Sequence, residues 1–120
     1  ELITASTENI PLKIVVFNNG NHGMVRQWQK IFYNHRFSAS ELTHHTPDYV
    51  ALAEAMGAVG LRMVEKSDVK RVFEEMLKVT DRPVLVDCVV DPDDMVFPMV
   101  TAGGSNDEVI LSEDDLKKND

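Results

Sequence analysis

The residues best suited to chemistry lie together at 18–24, in the order Asn-Asn-Gly-Asn-His-Gly-Met. Their amide oxygens and backbone carbonyls are hard ligands of the kind that Mg²⁺ takes. A helix opening near Met24 would present unpaired N–H groups to an anion such as a diphosphate. A metal-diphosphate site is therefore one reading of the stretch. The other is a plain tight turn, because Asn and Gly both tolerate positive φ.

Other candidate groups are less organised. Met24 and Trp28 stand one helical turn apart, a spacing that suits a core stripe as well as a pocket wall. His22, His35, His44 and His45 include no pair at the i, i+4 spacing of a helical zinc site, and no Cys cluster accompanies them. Cys88 lies in an apolar run with no activating base beside it, which predicts a buried, inert thiol.

These residues need a scaffold. Leu12 to Phe17 is a continuous apolar run rich in β-branched residues, which predicts a central parallel strand covered on both faces. From Met24 the set Met24, Trp28, Ile31 and Phe32 has helical spacing. Residues 34–46 form a polar connection. Thr46 as N-cap, Pro47 in the first turn and the stripe Tyr49, Leu52, Ala53 and Met56 predict a short helix closed by Gly57. Ala58 to Val64 is the second strand. Ser67 caps a third helix with the stripe Val69, Val72, Phe73, Met76 and Leu77, and Asp81-Arg82-Pro83 leads into the third strand, Val84 to Val90. Strands alternating with helices demand crossovers, hence an α/β architecture with a parallel sheet flanked by helices in three layers. Ligands of such sheets bind beyond the carboxyl ends of the strands, where residues 18–24 fall. Glu1 to Thr7 resembles the last turns of a helix, so the expectation is a sheet truncated at its N-terminal side.

The 120 residues suit one domain. The net charge of −8 disfavours nucleic acid and anionic membranes as partners, and it is unevenly spread: residues 1–90 carry −1 and residues 91–120 carry −7. No apolar run approaches the roughly 18 residues of a membrane span. With the lone Cys88, these features predict a cytoplasmic protein.

The stretch VVFNNGNHGMVRQWQKIFY at 15–33 closely resembles the cofactor-binding segment of the acetolactate (acetohydroxyacid) synthase catalytic subunits. The likeness continues in order through PDYVALAEAMGAVGLRMV at 47–64 and PVLVDCVVDPDDMVFPMV at 83–100. GMVRQWQ at 23–29 is the most specific part.

The resemblance implies the thiamine diphosphate-binding fold, with residues 1–92 as the C-terminal portion of that domain and 93–120 as an acidic, mobile C-terminal arm. It assigns Mg²⁺ to the Asn19 amide oxygen and the Asn21 carbonyl, and cofactor contacts to Asn19, Asn21, His22, Gly23, Met24 and Val25. Asn18 becomes a structural turn residue, and Met24, Val25 and Trp28 line the substrate pocket. No catalytic side chain is assigned to this chain. The implied reaction is the condensation of pyruvate with pyruvate or 2-oxobutanoate, losing carbon dioxide, in branched-chain amino acid biosynthesis. FAD belongs to the full enzyme, at a site outside this chain. Implied partners are the remainder of the catalytic subunit, further copies of it in a homo-oligomer, and a regulatory subunit. The family's Gly-Asp-Gly motif, which supplies an anionic metal ligand, does not occur in the sequence, so the isolated chain is expected to be inactive. The alternative is a non-catalytic regulatory or interaction module that reuses the fold.

Overall fold

The computed structural model describes residues 1–42 and 44–116. Thr43 in the predicted connection and residues 117–120 of the predicted arm lie outside the described residues. In chain order the elements are α1 (Leu2–Thr7), β1 (Lys13–Asn18), α2 (Gly23–Phe32), α3 (Tyr49–Ala55), β2 (Val59–Met63), α4 (Asp68–Lys78), β3 (Val84–Val89), β4 (Met99–Val100), β5 (Val109–Ile110) and α5 (Glu113–Leu116). They divide into two compact units. One comprises Glu1–Asn21 and Leu42–Pro92, and the other comprises His22–Glu41 and the described residues from Asp93 on.

The first unit holds a three-stranded parallel sheet in the order β1-β3-β2. Side chains alternate across β3. Val84 and Val86 join Val72 and Met76 of α4 on one face, with Met63, Val15 and Leu61 around them. Leu85 joins Ala53 of α3, Ala58, and Leu2 of α1 on the other. This is the α/β architecture expected, with helices on both faces. Each fully buried Val contributes about 1.5–3 kcal/mol, so β3 is the strand on which the unit's stability turns.

Leu12–Phe17 is not the central strand. Among the described residues β1 pairs with β3 alone, and the middle place goes to β3, whose Val84, Leu85, Val86 and Asp87 are all buried. Nor is β1 fully covered on both faces: Lys13 to Val16 are only partly buried, so the apolar run marks a strand without giving its burial or its place in the sheet. Phe17 near the end of β1 is exposed.

The α4 stripe is also only partly used. Val72 and Met76 are buried, while Val69, Phe73 and Leu77 are exposed. Residues 72 and 76 stack on one side of the helix over the sheet, and 69, 73 and 77 fall on its flank. The described residues leave that flank partly open.

One predicted cap moves by two residues, and the other keeps its place without its side-chain bond. Asp48, not Thr46, caps α3: its carboxylate accepts from the N–H groups of Val50 and Ala51, whereas the Thr46 hydroxyl donates to the Leu42 carbonyl. Ser67 stands at the N-cap of α4 without a side-chain capping bond. Asp68 instead accepts from the N–H groups of Val64 and Glu65 and from Arg71. The Arg71 bond foremost, then those two backbone bonds, hold the Asp68 carboxyl down from its ordinary 3.8 to about 2. Because the folded value lies below the unfolded one, the contribution is complete above about pH 4, fades as the pH falls and is gone below about 2. Asp68→Asn should remove this part of the acid dependence, measured by urea unfolding between those limits. A variant that kept the same slope would place the effect elsewhere.

In the second unit β4 and β5 form an antiparallel pair, with Met99 opposite Ile110. Among the described residues, no helix is long and apolar enough to cross a membrane.

Candidate functional site

The candidate stretch passes from one unit to the other after Asn21, and its two parts are separate structures. In the first unit β1 ends at Asn18, where the chain turns through Gly20 at φ +66°, a left-handed conformation that costs glycine little. The Asn18 Oδ1 accepts from the Gly20 N–H at 3.1 Å, and the Asn19 Oδ1 accepts from the Asn21 N–H at 3.0 Å. The Asn21 side-chain amide donates back to the Asn19 carbonyl at 2.6 Å. The Asn21 Oδ1 is buried, with no hydrogen-bond partner among the described residues. A buried acceptor in that state calls for a donor or a cation.

The turn is tied to the sheet from below. Asp87, 2% exposed, accepts from the Asn18 Nδ2 on one oxygen and from the Arg62 Nε on the other, both at 3.0 Å. Arg62 also donates to Asp48 at 2.7 Å. Its guanidinium is held above its ordinary range by the Asp87 bond first and the Asp48 charge next, against the opposing pull of desolvation. Asp48 is drawn below the carboxylate range, chiefly by the Ala51 N–H. Burial first, and then the Asp87 charge, pushes the Cys88 thiol up, so Cys88 is poorly disposed to act as a nucleophile.

In the second unit α2 begins behind His22, which makes no side-chain capping bond, and its first turn carries no acidic residue. No carboxylate of the helix's own first turn competes for its leading N–H groups. Met24 is 54% and Val25 49% exposed. Trp28 is half-buried against Phe32, with ring centroids 4.9 Å apart. The spacing of Met24, Trp28, Ile31 and Phe32 suggested a buried apolar face, but the buried residue of α2 is Gln27, 5% exposed. Its amide clamps Val96, with Oε1 accepting from the Val96 N–H at 2.8 Å and Nε2 donating to the Val96 carbonyl at 3.0 Å. Arg26 pairs with Glu41 and Asp93 and lies over the Phe37 ring at 4.0 Å.

Asp87, Arg62 and Gln27 escaped the sequence reading. The signal for Asp87 was present, as a single carboxylate within the otherwise apolar VLVDCVV. Gln27 had none, since a polar residue on an amphipathic helix ordinarily faces water. His22, His35, His44 and His45 are all exposed, and among the described residues no three His, Cys, Asp or Glu side chains gather as a metal-ligand set.

Comparison with known proteins gives the family. Residues 1–88 match the thiamine pyrophosphate enzyme, C-terminal TPP binding domain. The chain is 49% identical over 112 residues to an acetolactate synthase of Mycobacterium bovis, a match covering 91% of this chain and 18% of that protein. It is 43% identical to an acetolactate synthase large subunit of Corynebacterium glutamicum, again over 91% of this chain and 18% of the relative. With the mitochondrial acetolactate synthase catalytic subunit of Saccharomyces cerevisiae it shares 40% identity, over 98% of this chain and 17% of that protein. The chain thus spans about a fifth of the length of the curated relatives it matches. With a parallel sheet that ends in the Asn18–Asn21 turn and a family match that runs through both, the chain belongs to the thiamine pyrophosphate enzymes, within their C-terminal TPP binding domain.

Proposed function

We propose that this chain forms part of a thiamine diphosphate- and Mg²⁺-dependent acetolactate synthase catalytic subunit, in which the Asn18–Asn21 turn holds the cation. The observation that carries this is the buried, unpartnered Asn21 Oδ1 in a loop otherwise built of amide and carbonyl oxygens. Such a donor set fits a hard divalent ion.

In this reading Asn19 offers its amide oxygen to the cation and Asn21 its backbone carbonyl, with the unpartnered Asn21 Oδ1 as a further oxygen of the same residue. His22 and Gly23 open α2, whose start has no side-chain cap and whose N–H groups favour an anion such as a diphosphate. Met24 and Val25 support the body of the cofactor, and Trp28 bounds the space for the second ketoacid. Thiamine diphosphate, when bound, supplies the electron sink for condensing pyruvate with pyruvate or 2-oxobutanoate as carbon dioxide leaves. The chain's own residues bind, orient and enclose. The remaining partners in this reading are the rest of the catalytic subunit, further copies of it and a regulatory subunit. The compartment is the cytoplasm, the pathway is branched-chain amino acid biosynthesis, and FAD is held outside this chain.

The test joins the chain with the remaining portion of a relative's catalytic subunit and titrates thiamine diphosphate by calorimetry with and without Mg²⁺. Binding should require Mg²⁺, support pyruvate condensation, and weaken at least about tenfold in Asn19→Ala, the loss of one ligand oxygen. A complex that assembles but binds no cofactor would favour the second reading, an interaction module that reuses the fold. The missing carboxylate ligand is the observation on that side.

A further inference from the structure

Asp87 stands on the middle strand with Val16 of β1 and Arg62 of β2 as its register neighbours. Being almost wholly buried, its carboxylate needs donors, and it finds one on either side: the Asn18 Nδ2 and the Arg62 Nε, each at 3.0 Å. The consequence lies in the orientation of Asn18. With its NH₂ group directed at an anion, its Oδ1 must face the other way, where it accepts the Gly20 N–H at 3.1 Å. A flipped Asn18 amide would set its oxygen against the carboxylate and its NH₂ against the Gly20 N–H, losing both bonds.

We propose that Asp87 is a positioning residue, which acts through Asn18 to set the conformation of the loop carrying Asn19 and Asn21. Asp87 lies outside the loop and orients the residue that starts it. Arg62 holds the carboxylate from the far side, and Asp48 holds Arg62, so the loop is referenced to the N-terminus of α3. The sheet does not depend on this link for its pairing. Two other bonds anchor the backbone here, from the Val90 N–H to the Asn18 carbonyl at 3.0 Å and from the Leu42 N–H to the Gly20 carbonyl at 2.8 Å. What Asp87 governs is the direction of side-chain and N–H groups within the turn. Its functional meaning rests on the cation reading above.

The donor and acceptor inventory supplies the test. Asp87→Asn leaves one oxygen for two donors, and Asn18→Asp sets two carboxylates against each other. In the double variant the polarity is reversed and every bond is kept. The amide at position 87 donates to the carboxylate at 18 and still accepts from Arg62, and that carboxylate still accepts from the Gly20 N–H. The measurements are amide hydrogen exchange on the full chain and, on the chain joined with the remaining portion of a relative's catalytic subunit, Mn²⁺-induced broadening of amide resonances with thiamine diphosphate present. Each single variant should speed exchange at Gly20 and Asn21 about tenfold, the loss of roughly one hydrogen bond, while α4 amides keep their rates. The double variant should return both amides to the original rates. Unchanged rates in the single variants, equal acceleration throughout the chain, or a double variant no better than the singles would each overturn the proposal. If exchange follows the expected pattern but Mn²⁺ broadens no loop amide in the joined protein, the positioning role stands and the cation reading falls.

Discussion

Changing Arg62 to Met is expected to destabilise the chain by about 2–3 kcal/mol, less than the ~3–5 kcal/mol for breaking a fully enclosed pair, because solvent reaches the guanidinium. The Arg62 side chain is 42% exposed while that of Asp87 is almost wholly enclosed, so the loss falls on Asp87. Methionine keeps most of the aliphatic stem and removes the donor, leaving a carboxylate on the middle strand with only the Asn18 amide for company. Adding Asp87→Leu should recover more than half of the loss, since an apolar pair needs no partner. The remainder reflects the Asn18 amide, which then has no acceptor. Urea unfolding of the single and double variants reads both quantities. A cost for Arg62→Met below about 0.5 kcal/mol, the range of ordinary surface changes, would show that the bond to Asp87 contributes little in solution.

Gly60→Ala is expected to cost about 1–3 kcal/mol through overpacking. A Cβ at Gly60 would lie 2.6 Å from the Val50 carbonyl oxygen and 2.9 Å from both its Cα and its Cγ1. Two of these three atoms are backbone, so no rotamer change relieves them. The strand is held against β3, with Gly60 in register with Leu85, and α3 is held by its buried Ala53. Either the helix lifts from the sheet or the strand leaves its partner. Combining Gly60→Ala with Val50→Ala should recover little, since only the Cγ1 contact is removed. Thermal unfolding of the two variants decides the matter. Complete recovery in the pair would mean that the side chain, not the helix backbone, sets the close approach.

Much of the scaffold was legible because its signals are local. Apolar runs mark all three strands, rich in β-branched residues in β1 and β3, and the order of strand, turn and helix places residues 18–24 at a carboxyl end. What failed was relational. Nothing within Leu12–Phe17 reveals that β3 takes the middle place, since two runs of similar composition compete for it and long-range pairing decides. The α4 stripe overstated burial because periodicity describes a helix, not the width of the surface beneath it. Of the site, the loop residues were visible as types with a purpose. The Asp87–Arg62–Asp48 chain was not, because its members come from separate segments that only the fold joins. The cap of α3 shows the same limit on a small scale: Thr46 and Asp48 are both good capping residues, and the Arg62 contact favours the second.

The middle position of β3 also orders events in time. β1 and β2 are not neighbours, and β3, the last of the three to be synthesised, is the strand that joins them. A chain growing from its N-terminus carries two strands with no pairing between them until residues 84–89 arrive. The bond that fixes the Asn18 turn spans 69 residues of sequence, which places it among the contacts of highest loop-closure cost. The loop therefore takes its final form only when the whole first unit has closed, and a nascent chain with half a sheet has no ready-made Asn18–Asn21 turn to offer a ligand.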